Sequence, residues 1–163
     1  MKISRTKGKQ GELEACRYLS AYTKLEWERT AQRWGKAIAD VWVPEKPDLG
    51  VHVEVKRHKK GLIRPTQMAK MHCVLETADG LHLALLANLT MALQFRTIPV
   101  RTITFNTVSE FHRQATEDCR PGDLPIVLMR HDHGQWVVVW NKVHGRALSA
   151  LLGSYLHGCC DAA

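Results

Sequence analysis

Apolar and polar positions alternate along this chain in two periods, and the switches between them outline its elements. Residues 8–22 place Leu13, Cys16 and Leu19 at helical spacing, with neither Gly nor Pro after Gly11, which predicts a first helix. Leu25–Arg33 is expected to form a first strand. Ile38–Val43 and Val51–Val55 are rich in Val, Ile and Trp and predict two strands. The Pro- and Gly-containing loop Pro44–Gly50 joins them. Pro65-Thr66-Gln67 reads as a helix start running to about Thr77, followed by a turn at Ala78-Asp79-Gly80. Residues 81–98 are apolar enough for a buried strand or a buried helix. Arg101–Phe105 alternates as a strand does, and Thr107-Val108-Ser109-Glu110 matches a capping box opening a helix to about Glu117. Leu124–Arg130 and Gln135–Trp140 predict a strand pair around His131-Asp132-His133-Gly134, with a short helix over Arg146–Leu152. This order predicts an α/β (α+β) domain with a central mixed β-sheet flanked by helices.

Period-two geometry places Val51, Val53 and Val55 on one strand face, and His52, Glu54 and Lys56 on the other. If Val43 faces Val51, Asp40 falls directly opposite Glu54, with Cβ atoms about 5 Å apart. Two carboxylates so placed repel each other, and a divalent cation between them removes the conflict. On the first helix, at about 100° per residue, Glu12 lies within about 60° of Ala15, Cys16 and Leu19, whereas Glu14 points to the opposite, solvated face. A carboxylate on an apolar stripe needs compensation, by a cation, by hydrogen bonds, or by capping its own helix N-terminus. An E-x-K triplet alone is also what an exposed hairpin carries. The shared face, the register and the basic run beside it point instead to a hard-cation site. Mg²⁺ takes oxygen ligands from one or two carboxylates, plus water and substrate phosphate.

Length and charge narrow the partners. The 163 residues suggest one domain over 1–163, and 45% apolar with 24% charged residues is ordinary globular usage. Net charge is +7, and it is concentrated. Lys2, Arg5, Lys7 and Lys9 form one basic stretch, and Lys56, Arg57, Lys59, Lys60 and Arg64 form another. Concentrated positive charge favours a polyanion, nucleic acid above all. Lys9, Arg57, Lys59, Lys60 and Arg64 are the candidate phosphate contacts, with His58 in the same run. Met1–Gln10 has no apolar core of a signal peptide, and Leu83–Phe95 is too short to span a bilayer, so an unexported, cytoplasmic protein without a membrane role is expected. The five cysteines lack zinc or redox spacing and read as reduced thiols, Cys16 and Cys73 in the core. Trp136 and Trp140 share a strand face and read as core, and His131 and His133 as a solvated hairpin tip. No phosphate-binding glycine loop, nucleophile elbow or zinc finger is present, so no organic cofactor is implied.

Three segments together resemble the PD-(D/E)xK nuclease superfamily, closest to small archaeal and phage Holliday junction resolvases and to RecB-like nuclease domains. They are Gly8-Lys9-Gln10-Gly11-Glu12-Leu13-Glu14-Ala15-Cys16-Arg17-Tyr18-Leu19, the strand reaching Ala39-Asp40, and Val53-Glu54-Val55-Lys56. The resemblance covers roughly residues 5–75. It implies a restriction-endonuclease-like core and a Mg²⁺-dependent endodeoxyribonuclease, with Mn²⁺ as a substitute. Glu12, Asp40 and Glu54 would be the metal-binding acids, Lys56 the catalytic lysine, and Gln67 an accessory residue. It also implies DNA as partner, a branched substrate, and a homodimer for symmetric cutting. The literal Pro-Asp pair, Pro47-Asp48, lies in the loop, so the acid role goes to Asp40 and Asp48 reads as a turn former. The alternative is a non-catalytic nucleic-acid-binding module of the same fold, a subunit of a larger complex. RNA as substrate stays open.

Overall fold

A computed structural model describes residues 2–30, 38–58, 74–89, 93, 106–131 and 134–156. The elements run α1 (Lys2–Tyr22), β1 (Glu28–Arg29), β2 (Val41–Trp42), β3 (Val51–His58), β4 (Leu75–Glu76), β5 (Leu81–Leu85), α2 (Asn106–Asp118), β6 (Leu124–His131), β7 (Val137–Asn141) and α3 (Gly145–Leu152). The strands form one seven-stranded mixed sheet in the order β1-β2-β3-β6-β7-β5-β4. All neighbours are antiparallel except β3 and β6, which run parallel in register from Val51↔Leu124 to His58↔His131.

Alternation along the central strands builds two cores. Val53, Ile126, Leu128, Val138 and Trp140 point to the face covered by Ala15, Cys16 and Leu19 of α1 and by Leu148 and Leu152 of α3. Val127, Met129, Val137, Val139 and Leu83 point to the other face, under Val108 and Ala115 of α2. Trp136 and Trp140 belong to the first core, as the periodicity predicts. Cys16 and Cys119 are free thiols; burial pushes each up to about 11, which keeps them protonated at neutral pH. Among the described residues, no helix is long and apolar enough to cross a membrane.

Several expectations need correction. The first helix begins at Lys2, ahead of residue 8. Leu13 is 51% exposed, so the buried stripe is Gly11, Ala15, Cys16 and Leu19. Glu14 does not face solvent: its carboxylate lies over the sheet, 3.4 Å from Arg57 Nη1 and 3.0 Å from Arg130 Nη2, because long cationic side chains on β3 and β6 reach up to it. A helix to Thr77 is replaced at its end by β4, where Leu75 pairs with Leu83 and the β-branched and apolar run joins the sheet edge. Residues 59–73, with Lys59, Lys60, Arg64, Gln67 and Cys73, lie outside the described residues, as does the predicted strand Arg101–Phe105. The ambiguous stretch resolves at its start into β5 and a 3-10 turn, Leu86–Asn88. α2 starts at Asn106, which puts Thr107 inside the helix. Glu110 bonds Arg113 instead of reaching back as a capping box requires.

Candidate active site

The site grows from the β2–β3 hairpin. Gly50, at φ 81°, makes the reversal that a residue with a Cβ would strain, and its carbonyl accepts the Leu124 N–H at 2.8 Å, starting the β3–β6 ladder. The register is the expected one: Val41 faces Val53. β2 pairs over a shorter span than Ile38–Val43, and Asp40 sits where it begins. The Asp40 N–H donates to the Val53 carbonyl at 3.0 Å, and Asp40 Oδ2 accepts the Val55 N–H at 2.8 Å. The carboxylate therefore lies in the seam between the strands, at the step where Glu54 projects from β3.

Glu54 points to the α2 face and is 8% exposed. Its Oε1 accepts from Lys56 Nζ at 2.6 Å, and the same ammonium donates to Gln114 Oε1 at 3.1 Å and stands 5.6 Å from the centre of the Phe111 ring. Burial, and after it the neighbouring Glu54 carboxylate, pushes Asp40 up to about 7; Glu12 adds to the push, and the Val55 N–H and Lys56 oppose it. The displacement thus records lost solvation first and a neighbouring carboxylate second, which Lys56 only partly offsets.

Glu12 comes from the opposite face of the sheet, on α1. Gly11 packs directly on β3, where an added Cβ would stand in van der Waals contact with Arg57 Cβ at 3.4 Å. After α1, Thr23 and Ser20 bind the chain back: Thr23 Oγ1 donates to the Leu19 carbonyl at 2.7 Å, and the Trp27 N–H donates to Ser20 Oγ at 2.9 Å. β1 is thereby laid beside α1, and Arg29 Nε donates to Glu12 Oε2. The compensation that a carboxylate on this stripe requires is thus an arginine.

The structure brings Asp40, Glu54 and Lys56 together and sets Glu12 beside them in an ion pair. Among the described residues, no group of three or more His, Cys, Asp and Glu side chains stands in metal-ligating geometry. Lys9 is exposed on α1, whereas Arg57 is engaged with Glu14 on the α1 face. Asp48 lies exposed in the turn before β3. Gln114 is the functional candidate that sequence reasoning missed. It reaches Lys56 across 58 positions, because the parallel β3–β6 pairing carries α2 over β3. No protein-family model, curated protein or solved structure matches the chain.

Proposed function

We propose that this protein is a metal-dependent DNA endonuclease built on a restriction-endonuclease-like core. One observation carries the reading: Asp40 and Glu54 meet at one step of a two-strand seam, with Lys56 on the Glu54 carboxylate and Asp40 displaced to about 7. The donor set fits Mg²⁺, since two hard carboxylates in a site short of positive charge are what that ion takes, along with water and phosphate. Asp40 and Glu54 would hold it, and Glu12 would join once Arg29 releases it. Bound there, the ion supplies Lewis acidity and an acidified water.

The chain's own groups do the rest. Val55 N–H holds the Asp40 carboxylate in the seam. Gln114 and Glu54 hold the Lys56 ammonium over the same spot, where it orients the attacking water and meets charge building on the phosphate. Lys9 and the run Lys59, Lys60 and Arg64 supply phosphate contacts and salt-dependent binding. Symmetric cutting of a branched junction would call for a homodimer.

The second reading, a binding module without useful catalysis, is favoured by the Glu12–Arg29 ion pair, which occupies one of the three acids. A cleavage assay separates them. Linear duplex, single-strand, flap and four-way junction DNA, with RNA counterparts, would be offered with Mg²⁺, Mn²⁺ or EDTA. The expected outcome is metal-dependent cutting that disappears in Glu54→Ala while DNA binding persists. Tight binding with no cutting under either metal selects the binding module.

A further inference from the structure

A cavity of about 460 Å³ lies among β1, β2, the start of β3 and the loop before β6. That is the size of a small-ligand site, not of a packing gap. Its walls are of two kinds. Ile38, Trp42 and Val51 supply apolar surface, while Arg29, Thr30 and His52 supply polar edges. In each of these three, one buried atom has no hydrogen-bond partner among the described residues: Arg29 Nη2, Thr30 Oγ1 and His52 Nε2. Buried polar atoms are nearly always satisfied, and leaving one bare costs about 1–3 kcal/mol. Three around a single cavity, one of them on a histidine only 2% exposed, are a set of unused hydrogen-bonding positions.

The cavity adjoins the candidate active site. His52 Nε2 stands 4.0 Å from Glu54 Oε2, too far for a hydrogen bond but near enough to form a common wall. Ala39, on the rim, directly precedes Asp40. Arg29, whose Nη2 is unpartnered, holds Glu12 through its Nε. An occupant would therefore touch a neighbour of each of the three acids and none of the acids themselves.

Charge selects the occupant. Glu28 and Asp123 line the cavity together with Arg29 and Arg120, so the formal charges cancel. With the charges cancelled a phosphate gains no net attraction inside, and a hydrocarbon would leave the three polar atoms bare. A flat, neutral group with apolar faces and a polar rim satisfies both kinds of wall, and a nucleobase is such a group.

The geometry points to a pocket for one unstacked base of the DNA strand whose phosphate lies over Asp40 and Glu54. This rests on the nuclease reading above and adds to it a substrate class: DNA with an unpaired nucleotide next to the cut. Drawing a base out of an intact duplex costs a few kcal/mol, and an unpaired base enters without that penalty.

The test is fluorescence anisotropy in EDTA with a short labelled single strand and its duplex form. The proteins are the parent, Trp42→Ala, Trp42→Phe and Thr30→Val, each checked for an unchanged melting temperature. Base–aromatic stacking is worth about 1–3 kcal/mol, so Trp42→Ala should weaken single-strand binding by about 5- to 150-fold. Duplex affinity should move by less than about twofold, because phosphate contacts dominate it. Thr30→Val, nearly isosteric, should weaken single-strand binding by about fivefold through the lost hydroxyl. Should Trp42→Ala unfold, Trp42→Phe and Thr30→Val decide. Unchanged single-strand affinity in the folded variants, or equal weakening of single strand and duplex, overturns the pocket while metal-dependent cutting by the parent leaves the nuclease reading intact. A parent that neither cuts nor binds DNA overturns both.

Discussion

On one face of β3, Val51, Val53 and Val55 pack under α1, and Arg57 ends the row against Glu14. On the other face, His52, Glu54 and Lys56 look toward α2 and the seam that holds Asp40. The same eight residues thus serve two opposite electrostatic arrangements. Around Glu14, two guanidinium groups, those of Arg57 and Arg130, surround one carboxylate, and the second of them also stacks 5.3 Å from the Trp136 ring centre. Around Glu54, one ammonium faces two acids, and the half-buried Asp40 in the seam is displaced upward to about 7. The first arrangement is closed and fastens helix to sheet. The second is unbalanced in the sense that a cation corrects. Both clusters carry an excess, but only the second is in excess of carboxylate, which is the sign that a bound metal ion corrects.

The contrast can be broken most sharply by exchanging partners on a single strand. Lys56→Ala should lower the cleavage rate by about 10³-fold, within the range for a positioned acid–base or electrostatic group, with DNA affinity changed by about threefold at most. Arg57→Ala, one residue away but on the other face, should leave the rate within about threefold and lower the melting temperature instead. Rates that respond equally to the two would erase the distinction between the faces.

Asp40 sharpens it through pH. Folded Asp40 keeps its proton to about pH 7, whereas an unfolded aspartate loses it near 3.9. Its contribution to stability is therefore complete below about pH 4 and is lost as pH rises through 7. Relative to the parent, Asp40→Asn should flatten the fall in metal-free stability between pH 5 and 8 by roughly 2–4 kcal/mol, read by denaturant unfolding at each pH. Adding Mg²⁺ at pH 8 should raise the parent's melting temperature and leave that of Asp40→Asn unmoved.

Val53→Ala removes two methyl groups from the closed face, where Val53 is 2% exposed. A loss of about 2 kcal/mol in unfolding free energy with unchanged cleavage by the surviving folded fraction is expected. The smallest effect belongs to Gln114→Ala. Lys56 keeps its Glu54 partner at 2.6 Å, so the rate should drop by only about tenfold, with stability nearly unchanged because Gln114 is exposed on α2.

Much of the site was legible because its logic is local. Alternation in Val51–Lys56 placed Glu54 and Lys56 on one face, and a single hairpin carried the Val41↔Val53 register, with Asp40 beside Glu54. What lay beyond reading was non-local. Glu14 was misplaced because a helical wheel shows the direction of a side chain but not the height of arginines rising from strands beneath it. Arg29 and Gln114 were missed because their partners, Glu12 and Lys56, lie in other elements, and only the packed fold sets them side by side. β4 was misread because an edge strand of two paired residues is too short for a period to register.

The parallel ladder between β3 and β6 has a consequence in time. It joins strands from the two halves of the chain, and Gln114, on the helix between them, reaches Lys56 only through it. Such distant pairings close late and slowly during folding. A polypeptide emerging from the ribosome therefore carries Asp40, Glu54 and Lys56 long before it carries the strand that locks them in place. The hairpin holding these three residues gains its parallel neighbour and the Gln114 contact only once α2 and β6 have been made.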